Sequence, residues 1–304
     1  FKAYLLGADD GVAKDPAWAA AITGVPAETI RALARDAAAT TSMITVAWSL
    51  QRAHHGEQPY WASIALAAML GGIGEPGAGF AFGHGSMNGV GVPRVDIPGP
   101  EVFMPPNPAA KAIPVARIAD MLLNPGAPYE FNGRRDVYPD IRLIYWAGGN
   151  PFHHHQDLNR LRQGWQKPDT VIVHESWWTP TARHADIVLP ATTTLERNDV
   201  GGSSRDPFVL AMKQAIPPVG DARSDFDIFH ALARRLGYGD VFSEGRSEMD
   251  WCRGIYERVV AGAARKNIAL PDFETFWEQG SVELPDPDKD FVLFEDFRRD
   301  PALY

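Results

Sequence analysis

Hydrophobic and polar positions in the first third of the chain alternate between helical and strand-like spacing. Residues 16–39 place small and apolar side chains three and four positions apart, which predicts helix. Residues 43–48 (MITVAW) form a short β-branched run that is typical of a buried parallel strand. Residues 60–70 then predict a buried helix that ends at Gly71-Gly72.

Strand–loop–helix units repeat in the second half of the chain. Strands are predicted at 141–147, at 170–173 and at 185–190. Helices are predicted from about residue 157 and over 225–236. Alternation of this kind predicts an α/β fold with two Rossmann-like, mostly parallel sheets and flanking helices. Ligands of such folds bind at the carboxyl ends of the strands.

A Gly/Pro-rich stretch, residues 74–108, separates the two halves and shows almost no periodicity. At this length it indicates a functional loop or a crossing between domains. We therefore expect residues 1–108 to belong to one α/β domain that includes the long loop. Residues 109–304 are expected to form a second α/β domain with a C-terminal extension.

Composition excludes several classes of protein. With 38 acidic and 29 basic residues the formal charge is −9, which argues against a general nucleic-acid binder. The single cysteine, Cys252, excludes an internal disulfide and any site built from cysteines alone, and its apolar neighbours predict a buried position. The longest apolar stretch, residues 62–70, is too short for a membrane span of about 20 residues.

The ends of the chain indicate a piece of a larger protein. The sequence opens at Phe1 without a methionine and closes at Tyr304 after a segment that reads as unfinished. We expect an internal fragment of a longer multi-domain polypeptide, with any targeting signals outside it.

Polar groups cluster where the predicted strands end. The three clusters are Trp48-Ser49 with Arg52, Gly149-Asn150 with His154, and His174-Glu175. Glycines let a ligand approach the backbone closely, and a strand-end carboxylate such as Glu175 can hold a ribose hydroxyl or a guanine N–H edge. Arg52 and Arg197 can each bind phosphate through two hydrogen bonds. This chemistry predicts a nucleotide-binding protein; the alternative is that Asn150 and Ser49 only cap helices and the arginines are surface residues.

Histidines at 153–155 and 54–55 raise the possibility of a metal site. Adjacent histidines on one helical turn point in different directions, whereas metal-binding pairs on a helix are usually four positions apart. No cysteine or carboxylate completes a known ligand spacing, so no protein-ligated metal site is predicted. The histidines are expected to donate hydrogen bonds to a polyanionic ligand or to face water.

Several segments resemble one enzyme family closely. They are WSLQR at 48–52, HHGEQ at 54–58, GGIGEPG at 71–77, WAGGNPFHHHQD at 146–157, HE at 174–175, ARHADIVLPAT at 182–192 and LERND at 195–199. Together they resemble the molybdenum S- and N-oxide reductases, a group that includes dimethyl sulfoxide, trimethylamine N-oxide and biotin or methionine sulfoxide reductases. The ADIVLP segment is shared by the wider molybdopterin oxidoreductase superfamily, whereas the triple-histidine and ERND segments resemble the oxide-reductase branch.

The resemblance implies a bis(molybdopterin guanine dinucleotide) molybdenum cofactor held between two Rossmann-like domains. The cofactor-binding residues that it implies here are Trp48, Ser49, Arg52, Asn150, His154, His174, Glu175, Arg197 and Asp225. Asp225 is the least secure of these, since Asp227 lies at the same helix start and could serve instead.

The reaction implied is reduction of an S-oxide or N-oxide by two electrons and two protons, which gives a sulfide or an amine and water. The resemblance places the serine that ligates molybdenum upstream of this chain, so no catalytic residue is assigned, although Arg52 and Trp48 are candidates for bordering the substrate funnel. The fragment alone is expected to be inactive. The alternatives are a formate dehydrogenase or nitrate reductase of the same superfamily, or a non-enzymatic guanine-nucleotide-binding module.

The partners implied are the oxide substrate and an electron donor, either a cytochrome or another reductant. A soluble protein is expected, in the periplasm or in the cytoplasm. The resemblance allows both, because the small-oxide respiratory enzymes are exported by a twin-arginine signal, whereas the cytoplasm remains open for the biotin or methionine sulfoxide enzymes. The identity of the oxide is not encoded here, because most residues of the substrate funnel would come from other parts of the protein.

Overall fold

A computed structural model describes residues 1–83, 95, 97–102, 112–203, 207–286 and 292–304. The chain divides into two compact units. Unit 1 comprises Phe1–Asp96, Ser203–Pro207 and Leu284–Tyr304, and unit 2 comprises Ile97–Gly202 and Phe208–Glu283. The boundary expected at residue 108 lies outside the described residues, and the two-domain division stays a prediction.

Unit 1 combines helices with a small parallel sheet. The strands β1 (Met43–Thr45) and β2 (Gly79–Ala81) pair in parallel. The helices are α1 (Lys2–Leu6), α2 (Pro16–Thr23), α3 (Ala27–Ala39), α4 (Gln58–Met69) and α12 (Glu295–Arg299). The helical pattern at 16–39 thus forms two helices, because Gly24 adopts a left-handed conformation with φ of 74° and ends the first of them.

The helix predicted at 60–70 forms, but the expectation that it is buried is wrong. Ala67 is the one buried residue of α4. Trp61 and Met69 are 63% and 61% exposed. The reason is geometric: α4 contacts the two-stranded sheet on one side only, while its apolar residues surround the whole helix.

The centre of unit 2 is a parallel sheet of three strands. They are β5 (Leu143–Ala147), β6 (Thr170–Glu175) and β7 (Ile187–Pro190), in the order β5-β6-β7. Helices α6 (Pro151–His154) and α7 (Leu158–Trp165) connect β5 to β6. All three strands end on one edge, where Glu175 is paired with Pro190. The α/β prediction is confirmed, and each of these strands lies where the sequence placed it, with small differences at its ends.

The hydrophobic core beneath this sheet explains why it forms. It is built from Leu122, Phe152, Leu161, Trp165, Val171 and Val173, each at most 8% exposed. The β-branched residues of β6 contribute to it from the strand, and α7 presents Leu161 and Trp165 from the helix. Burial of this face fixes the positions of the strand ends that carry the polar residues.

Unit 2 also contains antiparallel strands that the sequence analysis did not predict. One sheet has the order β10-β9-β8, formed by β8 (Asp199–Gly202), β9 (Phe208–Met212) and β10 (Ser281–Glu283). A separate hairpin joins β3 (Pro128–Phe131) to β4 (Arg134–Val137). Its turn is Asn132-Gly133, both with positive φ, and Asn-Gly between two short runs is a hairpin signal that could have been recognised.

The remaining helices of unit 2 are α5 (Ile118–Leu123), α8 (Asp225–Arg235), α9 (Gly239–Ser243), α10 (Glu248–Ala264) and α11 (Phe273–Gln279). Helix α10 begins with a capping box in which Ser247 and Asp250 exchange hydrogen bonds. Cys252 on α10 is 3% exposed, so the predicted burial is confirmed. Within the described ranges, no helix combines the length and apolar character needed to cross a bilayer.

Candidate functional site

The turn after β5 exposes backbone at the carboxyl edge of the sheet. Gly148 and Gly149 both have φ of 80°, a conformation that residues with a side chain rarely adopt. Among the residues that the structure describes, a Cβ added to Gly148 would meet no heavy atom within 4 Å, and one added to Gly149 would meet only Trp146 Nε1, at 3.9 Å. The space above this turn is therefore open to a ligand that approaches the main chain.

Asn150 connects this turn to the loop that follows β6. Its Oδ1 accepts hydrogen bonds from the backbone N–H of Thr181, at 3.3 Å, and from the Thr181 hydroxyl. Thr181 is fully buried. Asn150 makes no side-chain capping hydrogen bond to α6, which excludes the helix-capping alternative for this residue. Its side chain instead links the turn after β5 to the loop after β6.

The histidines after Asn150 lie at the end of α6. His154 is exposed, and its ring stacks on His155 at a centroid distance of 5.4 Å. The pKa of His155 is lowered, first by burial and second by the neighbouring His154. Among the described residues, no three His, Cys, Asp or Glu side chains are grouped so that they could hold a metal ion.

His174 lies inside the protein rather than at the surface of the site. Its side chain is 1% exposed. The Tyr145 hydroxyl lies 2.6 Å from its Nε2, and Asp225 Oδ1 lies 2.7 Å from its Nδ1. The His174 side chain is therefore not exposed at the cavity, and its role in binding the cofactor stays a prediction. It is hydrogen-bonded to Tyr145 and Asp225, and its ring stacks on Phe229.

Glu175, the last residue of β6, is occupied by its own loop. Its Oε1 accepts from the Ser176 N–H at 2.9 Å and its Oε2 accepts from the Thr179 hydroxyl at 3.0 Å. These bonds keep the carboxylate at the carboxyl edge of the sheet and still leave lone pairs for ligand N–H or O–H groups. Trp177 and Trp178, which follow Ser176, are 71% and 68% exposed.

Arg197 is held in place by the segment 192–199. Its Nη1 donates to the Thr192 carbonyl at 3.0 Å, and its Nη2 contacts Asp199 at 3.4 Å. The preceding residue, Glu196, is 6% exposed and accepts from the Thr193 N–H, the Thr193 hydroxyl and the Val219 N–H. These hydrogen bonds lower the pKa of Glu196 and anchor the loop that carries Arg197.

A cavity of about 590 Å³ in unit 2 brings Arg197 and Asp225 together. Its polar lining is Arg197, Asn198, Asp199, Asp225, Glu244 and Glu248, and its apolar lining includes Phe226, Phe242, Trp251 and Ile255. Asp227, the alternative to Asp225, is absent from this lining, and its backbone N–H is capped by Ser224. The structure thus places Asp225, and not Asp227, at the cavity.

Helix α10 supplies cavity residues that sequence reasoning missed. Glu248, Trp251 and Cys252 all line the cavity. Burial is the main reason that the pKa of Glu248 is raised, and Asp227 and Asp199 raise it further, while Ser224 and Arg197 oppose the shift. Burial also raises the pKa of Cys252 to about 12, so its thiol stays protonated at neutral pH. No strand-end signal marks these residues, because they belong to a helix far along the chain.

The three remaining predicted residues lie in unit 1, directly after β1. Trp48, Ser49 and Arg52 share one 3₁₀-helical segment, Trp48–Arg52. Trp48 stacks on Phe82 at a centroid distance of 4.7 Å, and its carbonyl accepts from the Tyr60 hydroxyl at 2.8 Å. Ser49 and Arg52 are exposed. Ser49 is not the capping residue of this segment, which starts after Ala47. These residues are thus grouped in unit 1 and the other six in unit 2.

Comparison with known proteins identifies the family. The profile of the molybdopterin oxidoreductases matches residues 8–235, three quarters of the chain. The chain belongs to the molybdopterin oxidoreductase family. The resemblance seen in the sequence is thereby confirmed, including the resemblance to the oxide-reductase branch, to whose members the chain is similar along its whole length.

Two curated relatives show the extent of this similarity. The chain is 55% identical over 305 residues to biotin sulfoxide reductase from Cereibacter sphaeroides, covering 100% of the chain and 41% of that protein. It is 50% identical over 317 residues to dimethyl sulfoxide/trimethylamine N-oxide reductase from the same organism, covering 100% of the chain and 38% of that protein. The chain spans about two fifths of the length of these curated relatives.

A solved structure was also matched. Acetylene hydratase from Pelobacter acetylenicus aligns with 50% of this chain and 19% of its own, at 22% identity and a TM-score of 0.38. Similarity at this level supports no conclusion about function.

Membership of the family implies a molybdenum–molybdopterin cofactor, and the chemistry of unit 2 fits such a group. A phosphorylated pterin needs backbone N–H groups, cationic side chains and polar partners for its ring edges. The open Gly148-Gly149 turn can supply the first and Arg197 the second. Asp225 and Glu175 are carboxylates that can accept hydrogen bonds from ring N–H groups.

Proposed function

We propose that this chain is the part of an S-oxide or N-oxide reductase that binds a bis(molybdopterin guanine dinucleotide) cofactor. The observation that carries the proposal is similarity along the whole chain, at 55% and 50% identity, to proteins named as biotin sulfoxide and dimethyl sulfoxide/trimethylamine N-oxide reductases. The arrangement of polar groups at the carboxyl edge of the parallel sheet supports it independently.

Each of these residues would bind the part of the cofactor that matches its own hydrogen-bonding groups and charge. Arg197, held by the Thr192 carbonyl and by Asp199, offers a positioned guanidinium for a phosphate. Asp225 lines the same cavity and offers a carboxylate to guanine or ribose donors. The turn at Gly148-Gly149 offers close approach to the main chain, which Asn150 keeps in place through Thr181.

The other predicted residues fall into two groups. In unit 2, Glu175 and His154 lie near the strand ends and are proposed to contact the cofactor from the rim, and His174 supports Asp225 from beneath. In unit 1, Trp48, Ser49 and Arg52 are proposed to contact the cofactor independently, with the exposed Arg52 guanidinium available for phosphate.

When bound, the cofactor supplies the two-electron chemistry in which R₂S=O or R₃N=O, two electrons and two protons give the sulfide or amine and water. The residues of this chain bind and orient it, and the cavity in unit 2, with both polar and apolar walls, shields part of it from water. The electrons are proposed to come from a cytochrome or another external reductant, and the serine that ligates molybdenum from another part of the protein.

The proposal is tested on the full-length protein. We expect about one molybdenum and two guanine nucleotides per polypeptide, together with viologen-linked reduction of dimethyl sulfoxide, trimethylamine N-oxide, or biotin or methionine sulfoxide. Formate oxidation or nitrate reduction in place of these activities would assign the protein to another branch. A purified protein that contains guanine nucleotide but no molybdenum, and that shows no turnover, would instead be a nucleotide-binding module.

A pair of arginine variants tests the site itself. Arg197→Ala removes the guanidinium at the cavity and is expected to lower bound guanine markedly. Arg142→Ala is the matched control, because Arg142 precedes the amino end of β5 and pairs with the exposed Asp169, at the opposite edge of the sheet. Equal guanine content in the two variants would contradict the assignment of Arg197.

A further inference from the structure

Three side chains in unit 2 form a continuous hydrogen-bonded chain that ends at the cavity. Tyr145 lies in β5, His174 in β6, and Asp225 is the first residue of α8. The Tyr145 hydroxyl lies 2.6 Å from His174 Nε2, and His174 Nδ1 lies 2.7 Å from Asp225 Oδ1. Both distances are short for bonds that involve nitrogen, as expected next to a charged carboxylate.

His174 is the buried member of this chain, between the half-buried Tyr145 and Asp225 at the cavity. The side chain of Asp225 is 48% exposed and lines the cavity, whereas that of His174 is 1% exposed. Phe229, one turn further along α8, stacks on His174 at 4.7 Å and on Tyr145 at 5.7 Å between ring centroids. The imidazole plane is therefore fixed by packing as well as by its two hydrogen bonds.

The chemistry of the three groups sets the direction of the hydrogen bonds. Burial, and second the charge of Asp225, raise the pKa of Tyr145, so its hydroxyl keeps its proton and can donate. A hydroxyl that donates to Nε2 places the ring proton on Nδ1, which then donates to Asp225 Oδ1. The hydrogen bond from Tyr145 thus selects the His174 tautomer that presents an N–H to the Asp225 carboxylate.

The two carboxylate oxygens of Asp225 differ in their hydrogen bonding. Its Oδ1 is engaged by His174, and within the described ranges its Oδ2 has no hydrogen-bond partner. A carboxylate at the first position of a helix can otherwise turn toward the backbone N–H groups of that helix. The bond from His174 holds the carboxylate in one orientation at the cavity wall instead.

We propose that Tyr145 and His174 are positioning residues, which orient Asp225 so that its free oxygen accepts a hydrogen bond from the guanine dinucleotide. Nothing in the sequence marked Tyr145 as part of the site, and within the described part of the chain His174 is the one hydrogen-bond partner of its hydroxyl. The inference rests on the proposed function, because it needs a guanine dinucleotide in this cavity. It also explains why a histidine in a cofactor-binding motif is buried where no ligand reaches its side chain.

The test uses the full-length holoenzyme and follows release of bound guanine nucleotide in urea below the unfolding transition. Tyr145→Phe removes one oxygen atom and keeps the ring packing. We expect about tenfold faster release, the equivalent of one hydrogen bond of about 1.4 kcal/mol. Asp225→Asn is expected to release the nucleotide at least as fast.

The double variant distinguishes positioning from general loosening. If Tyr145 acts through Asp225, the variant that carries both Tyr145→Phe and Asp225→Asn releases guanine no faster than Asp225→Asn alone. A loosened core would instead multiply the two effects. Tyr256→Phe is the matched control. Tyr256 lies on α10 and is buried, and its hydroxyl donates to the Pro271 carbonyl at 3.0 Å. It is expected to leave the release rate unchanged.

Each other outcome overturns one specific statement. Unchanged release in Tyr145→Phe, multiplied effects in the double variant, or equal effects of Tyr145→Phe and Tyr256→Phe would each refute the positioning role. A wild-type holoenzyme that contains no guanine would refute the proposed function itself, which separates the two failures.

Discussion

Replacing Thr181 by valine is expected to loosen the edge of the parallel sheet where the candidate site lies. Thr181 is fully buried and holds two elements together. Its hydroxyl donates to Asn150 Oδ1 and accepts from the Phe152 N–H at 3.4 Å. Valine has nearly the same shape, so the change leaves the backbone N–H bond to Asn150 and removes the two hydrogen bonds of the hydroxyl.

The magnitude follows from the two contacts. Loss of the hydroxyl–amide hydrogen bond costs about 1 kcal/mol, and leaving the buried Phe152 N–H unpaired costs about 1 kcal/mol more. The second figure is at the lower end of the usual range because the bond is long, at 3.4 Å. Together they amount to about 2 kcal/mol, which corresponds to roughly 30-fold easier local opening.

Amide hydrogen exchange in the full-length protein measures this opening locally. Peptides that cover residues 148–156 are expected to exchange roughly 30-fold faster in Thr181→Val. Peptides from α10, residues 248–264, are expected to be unchanged. Thr23→Val is the control, because its hydroxyl donates to the Ala19 carbonyl at 2.8 Å at the exposed end of α2. It should change stability by no more than about 0.5 kcal/mol.

Two results would refute this reasoning. Unchanged exchange at 148–156 would mean that the Thr181 hydroxyl does not link Asn150 to Phe152. Faster exchange that extends equally into α10 would mean that the substitution loosens unit 2 as a whole, and the magnitude could not be assigned to two hydrogen bonds.

Two further predictions concern the backbone turn and a buried carboxylate. Gly148→Ala is expected to lower the free energy of unfolding of the cofactor-free protein by only about 1–2 kcal/mol, because alanine is strained at a φ of 80°. It is expected to reduce the guanine content of the holoenzyme strongly, because the new Cβ enters the open space above the turn. Normal guanine content would contradict the close approach of a ligand to this turn. For Glu196, the lowered pKa means that its stabilising effect is complete above the ordinary value of 4.5 and disappears as the pH falls through the lowered value. Thermal unfolding from pH 7 to pH 3 should therefore show the stability difference between wild type and Glu196→Gln shrinking at low pH; a constant difference would contradict the role of the charge.

Local sequence pattern was sufficient for the parallel sheet. Strands β5, β6 and β7 are runs of β-branched and apolar residues, with Gly148 directly after β5 and Pro190 at the end of β7, and such runs favour strand wherever both faces are covered. The same local logic correctly placed Cys252 in the interior. The sheet formed by β8, β9 and β10 escaped because Gly201 and Gly202 give β8 little strand propensity, and its pairing joins segments distant in sequence.

The candidate site shows the same division. A strand-end position predicts which residues share one edge of the sheet, and Glu175 and the Gly148-Gly149 turn lie there. It does not predict which side chains remain accessible: His174 lies one residue before Glu175, yet its side chain is almost completely buried. Helix α10 lines the cavity although no pattern near Glu248 indicates a binding site.

The sequence by itself thus determined the element types, the edge of the sheet that carries the polar residues, and the family, because these depend on side-chain order along a few neighbouring residues. Only the tertiary structure decided that Asp225 rather than Asp227 lines the cavity and that His174 is buried and hydrogen-bonded to Asp225. Tyr145 and His174 are 29 positions apart, and His174 and Asp225 are 51 apart. Their hydrogen bonds exist because the core packs the sheet against α7, and Phe229 of α8 stacks on Tyr145 and His174. This packing brings three segments that are distant in sequence within 3 Å of one another, which residue spacing along the chain does not reveal.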